Sequence, residues 1–324
     1  MKKLQKRLVL ITAAVTFGTL GLLVPNTVSA DESGIDTTVI NEKWGKPTFV
    51  YGGGLSDAQI DTTADLLDIE VRDNVNSMAV TGEDLASYLN EGAADTSVMI
   101  SSVLVQKENS GKGVVVDIKT PENITQITEE QYTNAAITAG VADATILVAS
   151  VSRVTGESAL TGIYKAFDAN GEKLDQDRME VAQEELETTN EIAQENVGEE
   201  DFDAKRLDQA IIDIKQELSE LKERAGELAA REDIEKIIND ALAKNKLEDY
   251  VTQDQFQKLL DLFEKYQKTS AIDSAEVKQQ LQDLSKNVQN KISDFVSQAE
   301  ESGLMDRIGN FFSQIWQAIT GLFN

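Results

Sequence analysis

The chain of 324 residues predicts an α+β protein: a mixed-sheet α/β head over 47–171, followed by an elongated helical region over 172–302 of helical-hairpin or coiled-coil-like kind. Three observations predict it. Strand-like and helix-like stretches alternate as far as Asn170-Gly171, an order that packs helices onto a sheet. Beyond that point the β-branched runs stop and charge rises, with 13 acidic and 2 basic residues between positions 172 and 203. Then Leu207, Ile211, Ile214, Leu218, Leu221, Ala225 and Leu228 alternate spacings of four and three, the seam of an amphipathic helix that needs a helical partner.

The first thirty residues join Lys2, Lys3, Lys6 and Arg7 to an apolar stretch over 8–24 and then to Val28-Ser29-Ala30, the three parts of a secretory signal peptide. An uncleaved anchor is the competing reading, but the stretch is short for a span and carries Gly18 and Gly21. The mature chain is expected to begin at Asp31, with 31–46 a flexible leader whose one anchor is Trp44.

In the head, Phe49-Val50-Tyr51 predicts the first strand. Gly52-Gly53-Gly54 then leads to Ser56 and Gln59, a capping-box spacing that opens a helix reaching about Asp68. A strand over 77–80 and a helix over 81–89 follow. The β-branched runs 98–105 and 114–118, joined by Asn109-Ser110-Gly111-Lys112-Gly113, predict a hairpin. Thr128 and Gln131 form a second capping box, Ala135, Ala136 and Ala139 give that helix a narrow apolar face, and Gly140 ends it in a left-handed conformation. Ile146-Leu147-Val148 with Val151 reads as a strand buried on both faces. Thr155-Gly156-Glu157-Ser158 restarts a helix with Ala159, Leu160, Ile163, Ala166 and Phe167 on one side.

The runs ITAGVADATILVAS and VTGESALTGIYKAF, with VTGEDLASYL over 80–89 and the pair Ser101-Ser102, resemble domain-of-unknown-function family 1002, secreted proteins of Gram-positive bacteria. The resemblance extends from about Thr48 into the acidic helix after Glu172. It implies a fold and an extracellular or envelope location, and no active site.

In the helical region, Met179, Ala182, Leu186, Ala193 and Val197 give a thin apolar seam to a helix ending at Gly198. Helices are predicted over 232–247, over 252–266 with Thr252 and Gln255 as its capping box, and over 273–300 on a seam that includes Val277, Leu281, Leu284, Val288 and Ile292. These seams predict antiparallel helical hairpins, with an intermolecular coiled coil as the alternative. The last segment, 303–324, is an amphipathic helix by pattern: Leu304, Ile308, Phe311, Ile315, Ile319 and Leu322 line one face, and Phe312, Trp316 and Phe323 widen it. The candidate membrane or partner surface is Leu304, Ile308, Phe311, Phe312, Ile315, Trp316, Ile319 and Phe323. Docking on the protein's own helices or a second copy, membrane contact and a protein partner are its three open uses.

Composition narrows the chemistry. The net charge is −27, and it becomes −31 once the four basic residues of the signal are removed. Such a surface repels nucleic acid and suits cations or basic partners. Cysteine and histidine are absent, so no disulfide, lipidated cysteine or His-dependent triad exists. With proline only at 25, 47 and 121 there is no wall-sorting motif of the Leu-Pro-x-Thr-Gly kind. Ser158 in Gly156-Glu157-Ser158-Ala159-Leu160 lacks the final glycine of a nucleophile elbow and reads as a helix start. Ser219 and Lys222 have Ser-x-x-Lys spacing but are expected on the exposed side of the heptad helix. The glycine triplet reads as a tight turn rather than an anion cradle. Asp168, Asn170, Asp175 and Asp177 offer calcium-type oxygens without EF-hand spacing, and a helix linker explains them equally. No catalytic, cofactor or metal residue is assigned. The sequence points to a secreted, non-enzymatic interaction protein with an unidentified protein or envelope partner. A carboxylate-dependent wall-acting enzyme and a membrane-surface binder are the alternatives.

Overall fold

Apolar residues at alternate positions of five short runs build a sheet with two faces. The computed structural model describes residues 34–40, 42–90, 95–199 and 201–301, with side chains as far as residue 293. β1 (Thr48–Gly52), β2 (Asn76–Val80), β3 (Ser102–Lys107), β4 (Val114–Ile118) and β5 (Ala144–Ala149) lie in the order β2-β1-β3-β5-β4. β1 runs parallel to β2 and β4 to β5, while β1–β3 and β3–β5 are antiparallel, so the sheet is mixed as predicted. Val50, Val103, Val105, Val116, Ile146 and Val148 contribute to the core on one face, Phe49, Leu104, Leu147 and Ala149 to the core on the other.

α3 (Glu129–Ala139) and α4 (Ser158–Ala169) cover the first face, with α2 (Gly82–Leu89) beside α4. Against the second lies α1 (Asp57–Leu66), whose Ala64 packs with Leu67, Ile69 and Val75. Ile35 is buried in that same cluster and Trp44 stands edge-on to Phe167 at 4.7 Å, so Trp44 is not the leader's one anchor.

The hairpin expected between β3 and β4 does not form, because β5 lies between them. The turn after β3 is pinned instead to the start of β5: Gly113 N–H donates to Asp143 Oδ1 (3.0 Å) and Ala144 N–H to the Gly113 carbonyl (3.0 Å). β5 is buried at every position and fills both faces, so an interior place removes most apolar surface from water. β4, with Val115 exposed and Asp117 half-buried, tolerates the edge.

α5 (Gln176–Glu195), α6 (Ala204–Ala225), α7 (Arg231–Lys244), α8 (Gln253–Tyr266) and α9 (Ala275–Glu301) follow near their predicted positions. The elongated arrangement does not follow with them. α5, α6 and α9 all pack on α3, α8 packs on α5, and α7 bridges α6 and α8. Their seams close one core that holds Ile192, Ile211, Ile214, Ile238, Phe263 and Val288 and also takes in Ile137 of α3. The heptad face of α6 therefore finds its partners within the chain and against the head. Three predicted seam residues are exposed instead: Val197 at 71%, Ala225 at the last position of α6, and Leu228, which lies past the Gly226 cap. The eight residues of the C-terminal candidate surface, Leu304 to Phe323, lie outside the described residues.

Candidate functional site

Most groups singled out by sequence are engaged in holding the fold. The N–H groups of the glycine triplet are taken, by Ser102 Oγ at Gly52 (3.0 Å), the Val80 carbonyl at Gly53 (2.8 Å) and the Met99 carbonyl at Gly54 (3.0 Å). A Cβ at Gly52 would run into the Met99 and Ile100 carbonyls, so close strand approach explains that glycine. Ser158 opens α4 just after Gly156, whose φ of 109° needs glycine and whose carbonyl accepts from the Tyr132 hydroxyl at 2.7 Å. Ser219 is buried rather than exposed and donates to the Ile272 carbonyl at 2.7 Å, because the chain leading into α9 covers that side of α6. In the acidic turn, the Asn170 amide donates to Thr48 Oγ1 (2.8 Å) and the Ala166 carbonyl (2.7 Å), and Asp175 caps α5 by accepting from Arg178 N–H (3.1 Å). Among the described residues no group of three or more carboxylates is placed to hold a metal ion.

The feature that sequence reasoning missed is a buried polar centre between the head and the helices. Lys215 of α6 is 0% exposed. Its Nζ donates to Glu185 Oε1 (2.6 Å) on α5 and to Asn134 Oδ1 (2.7 Å) and Thr138 Oγ1 (2.7 Å) on α3. Tyr266 of α8 offers its ring face at 5.7 Å. Burial pulls the Lys215 pKa down from its ordinary value, and the Glu185 carboxylate opposes this by pulling it up. Three side-chain acceptors for three N–H donors make the ammonium tolerable there. Nearby, the Arg178 guanidinium donates to the last-turn carbonyls of α3, Thr138 (2.7 Å) and Ile137 (2.9 Å), a cationic cap at the negative helix end. Gly140 admits it, for a Cβ there would stand 3.2 Å from Arg178 Cζ. The available signal was the polar row Glu130, Asn134 and Thr138 opposite the alanine face of α3. Without knowing what lay against it, that row reads as solvent-facing.

A second cluster of titratable groups surrounds the start of α3. A cleft of about 650 Å³ has Ile118, Pro121, Ile124 and Ile127 on one side and Glu129, Glu130, Asp203, Lys205 and Lys291 on the other. Lys291 pairs with Glu130 at 2.6 Å and Glu129 at 3.4 Å. Beside this cleft Asp208 is 1% exposed, with the Thr128 hydroxyl 3.3 Å from its Oδ2. Burial first, and then the Glu130 charge, hold the Asp208 carboxyl well above the ordinary carboxylate range. Two acids in unequal surroundings are thus close together, although only Glu130 lines the cleft.

Fold and site together define an α+β protein whose helices close over one face of a mixed sheet around a sealed ion pair. A family model described as a protein of unknown function (DUF1002) matches residues 51–284. The uncharacterized protein YpuA of Bacillus subtilis (strain 168) is 31% identical over 308 residues, covering 93% of this chain and 94% of that protein. The chain belongs to the DUF1002 family. No solved structure matches. The family match continues well beyond Glu172 into α9, so the packed helices are part of the family's common unit as the sheet is.

Proposed function

We propose that this protein is an exported, non-enzymatic interaction module, extracellular or held non-covalently at the cell envelope, that engages its partner through the apolar face of residues 303–324. The observation that carries the reading is the sequence of that face, six aliphatic or aromatic residues at helical spacing widened by Phe312, Trp316 and Phe323. Two further points support it. The N-terminal thirty residues have the order of a signal peptide. The groups that could have suggested a nucleophile or an anion site, Ser158, Ser219 and the glycine triplet, are occupied in a helix start, a buried hydrogen bond and a strand crossing.

Fractionation of a Gram-positive host expressing the full chain tests export, with the product expected in the medium or envelope fraction. Loss of that location when residues 2–7 are made neutral would agree with a signal, and cytoplasmic retention of the unaltered chain would refute the reading. Comparing the full chain with one cut before Gly303 tests the surface. Liposome binding lost on cutting assigns it to membrane, and a change from dimer to monomer assigns it to self-association. Identical behaviour of both chains, in partner capture as well, removes it.

One observation favours a second reading, carboxylate chemistry on wall polymer: Glu130 faces a cleft while burial holds the neighbouring Asp208 carboxyl well above the ordinary carboxylate range. Glu130→Gln would then abolish release of fragments from purified cell wall, and no release by the unaltered chain would end that reading.

A further inference from the structure

The cleft at the start of α3 offers an apolar wall, with Ile118 half-buried and Pro121 exposed in front of the buried Ile124 and Ile127. The charged groups opposite are already engaged. Lys291 pairs with Glu130 and Glu129, and Asp203 caps α6 by accepting from Lys205 N–H at 2.9 Å. A highly charged ligand would have to break these contacts, whereas an uncharged apolar surface would cover Ile118 and Pro121 and leave them intact.

α9 leads the chain to this cleft. It runs antiparallel to α3, with Gln280 Nε2 donating to the Val141 carbonyl at 3.3 Å just past the end of α3 and Lys291 reaching Glu130 at its start. From Lys291 the helix continues to Glu301, about ten residues or about 15 Å beyond the first turn of α3. Ser302-Gly303 has the sequence of a helix stop, and in residues 303–324 only Asp306 and Arg307 carry charged side chains. In a chain of net charge −27, that run is the segment suited to an apolar wall. A helix turning back at Gly303 would regain the level of Lys291 after about ten further residues. Ile308, Phe311, Phe312 and Ile315 would then pass Ile118 and Pro121.

We infer that the cleft at the start of α3 is the dock for the chain's own residues 304–319, laid antiparallel to the end of α9 and displaced when a partner takes the same apolar face. The inference rests on the reading of residues 303–324 as a docking face, and it adds what covers that face in the free protein.

The chain has no cysteine, so introduced pairs report proximity directly, a disulfide closing only when two Cα atoms come within about 7 Å. In the full chain, Pro121→Cys is combined in turn with Ile308→Cys, Phe312→Cys and Ile319→Cys and mildly oxidised. An intramolecular crosslink is expected in at least one pair. None is expected when Ala58→Cys, at an exposed position of α1 over the opposite face of the sheet, replaces Pro121→Cys. A second measurement needs no cysteine. With Trp44→Phe, Trp316 is the sole tryptophan. Its emission should be that of a shielded indole, and Pro121→Glu should shift it to the red and raise its quenching by acrylamide severalfold. Crosslinks only between two molecules, equal crosslinking from position 58, or Trp316 emission unmoved by Pro121→Glu would overturn the inference. A crosslink in a chain that binds no partner or liposome would leave the dock standing and remove the partner reading. Binding lost on cutting before Gly303, with no crosslink in any pair, would do the reverse.

Discussion

The two sides of α3 solve the same burial problem in opposite ways. Toward the sheet it presents Tyr132, Ala135, Ala136 and Ala139, small or aromatic groups that fill space against the strands, with the single hydroxyl satisfied at Gly156. Toward α5, α6 and α9 it presents Glu130, Asn134 and Thr138 around Ile137, and there a lysine is taken wholly out of water. The apolar side is non-directional and tolerates small shifts. On the polar side three donors must meet three acceptors from two helices, so it fixes the register of α6 against the head at a cost in desolvation. Close packing gives the sheet half its stability, while hydrogen-bond geometry specifies where the helical half docks.

The sharpest way to break this contrast is Lys215→Met. It strands the Glu185 carboxyl in the core and should cost about 3–5 kcal/mol in chemical unfolding. The pair Lys215→Met with Glu185→Leu should recover most of that loss. A single variant as stable as the parent would mean that the polar centre is a passive inclusion. Next comes Gly140→Ala, which forces a Cβ into a left-handed position at φ 100° and against Arg178. A loss of about 1–2 kcal/mol is expected, with earlier proteolytic cleavage near the α3–α5 contact as a local readout.

Asp208→Asn probes the polar side through pH. The native Asp208 pKa is raised above the ordinary 3.8, first by burial and then by the Glu130 charge, so the folded state binds this proton more tightly than the unfolded chain does. Its stabilising contribution is complete below that ordinary value and is lost as pH rises through the native one. The variant should therefore flatten the fall in stability across that window and gain on the parent toward neutral pH, as read from urea midpoints at several pH values. The smallest effect is expected at Val197→Ser, within about 0.5 kcal/mol, since that side chain is solvent-exposed despite its place in the predicted seam.

Local features were legible because their partners lie within three or four residues. The capping boxes at Ser56 and Gln59, Thr128 and Gln131, and Thr252 and Gln255 all form, and Gly140 ends α3 as its position predicts. β5 was readable as an interior strand from Ile146-Leu147-Val148. Its neighbours were not: a turn sequence fixes the reversal after β3 but cannot exclude a later strand from entering the gap. Lys215 follows Ile214 at the flank of the heptad seam, where a lysine ordinarily stays in water. Only the approach of Glu185, thirty residues earlier, and of α3 makes it an interior residue. A cleft between α5 and the end of α8 was hidden for the same reason, since α5 supplies its acids while the facing Lys265 and Lys268 come from the last turn of α8 and the segment after it.

By itself the sequence determined the number and type of the head's main elements, their caps and ends, the apolar stripes of the helices and the strongly acidic surface, because each depends on short-range sterics, helical period or net charge. The tertiary structure alone decided that β5 separates β3 from β4, that the helices fold onto α3 rather than extending from it, and that Lys215 is sealed in the core. Each of these is a competition among distant segments for the same buried place, settled by which combination removes the most apolar surface while leaving few polar groups without partners.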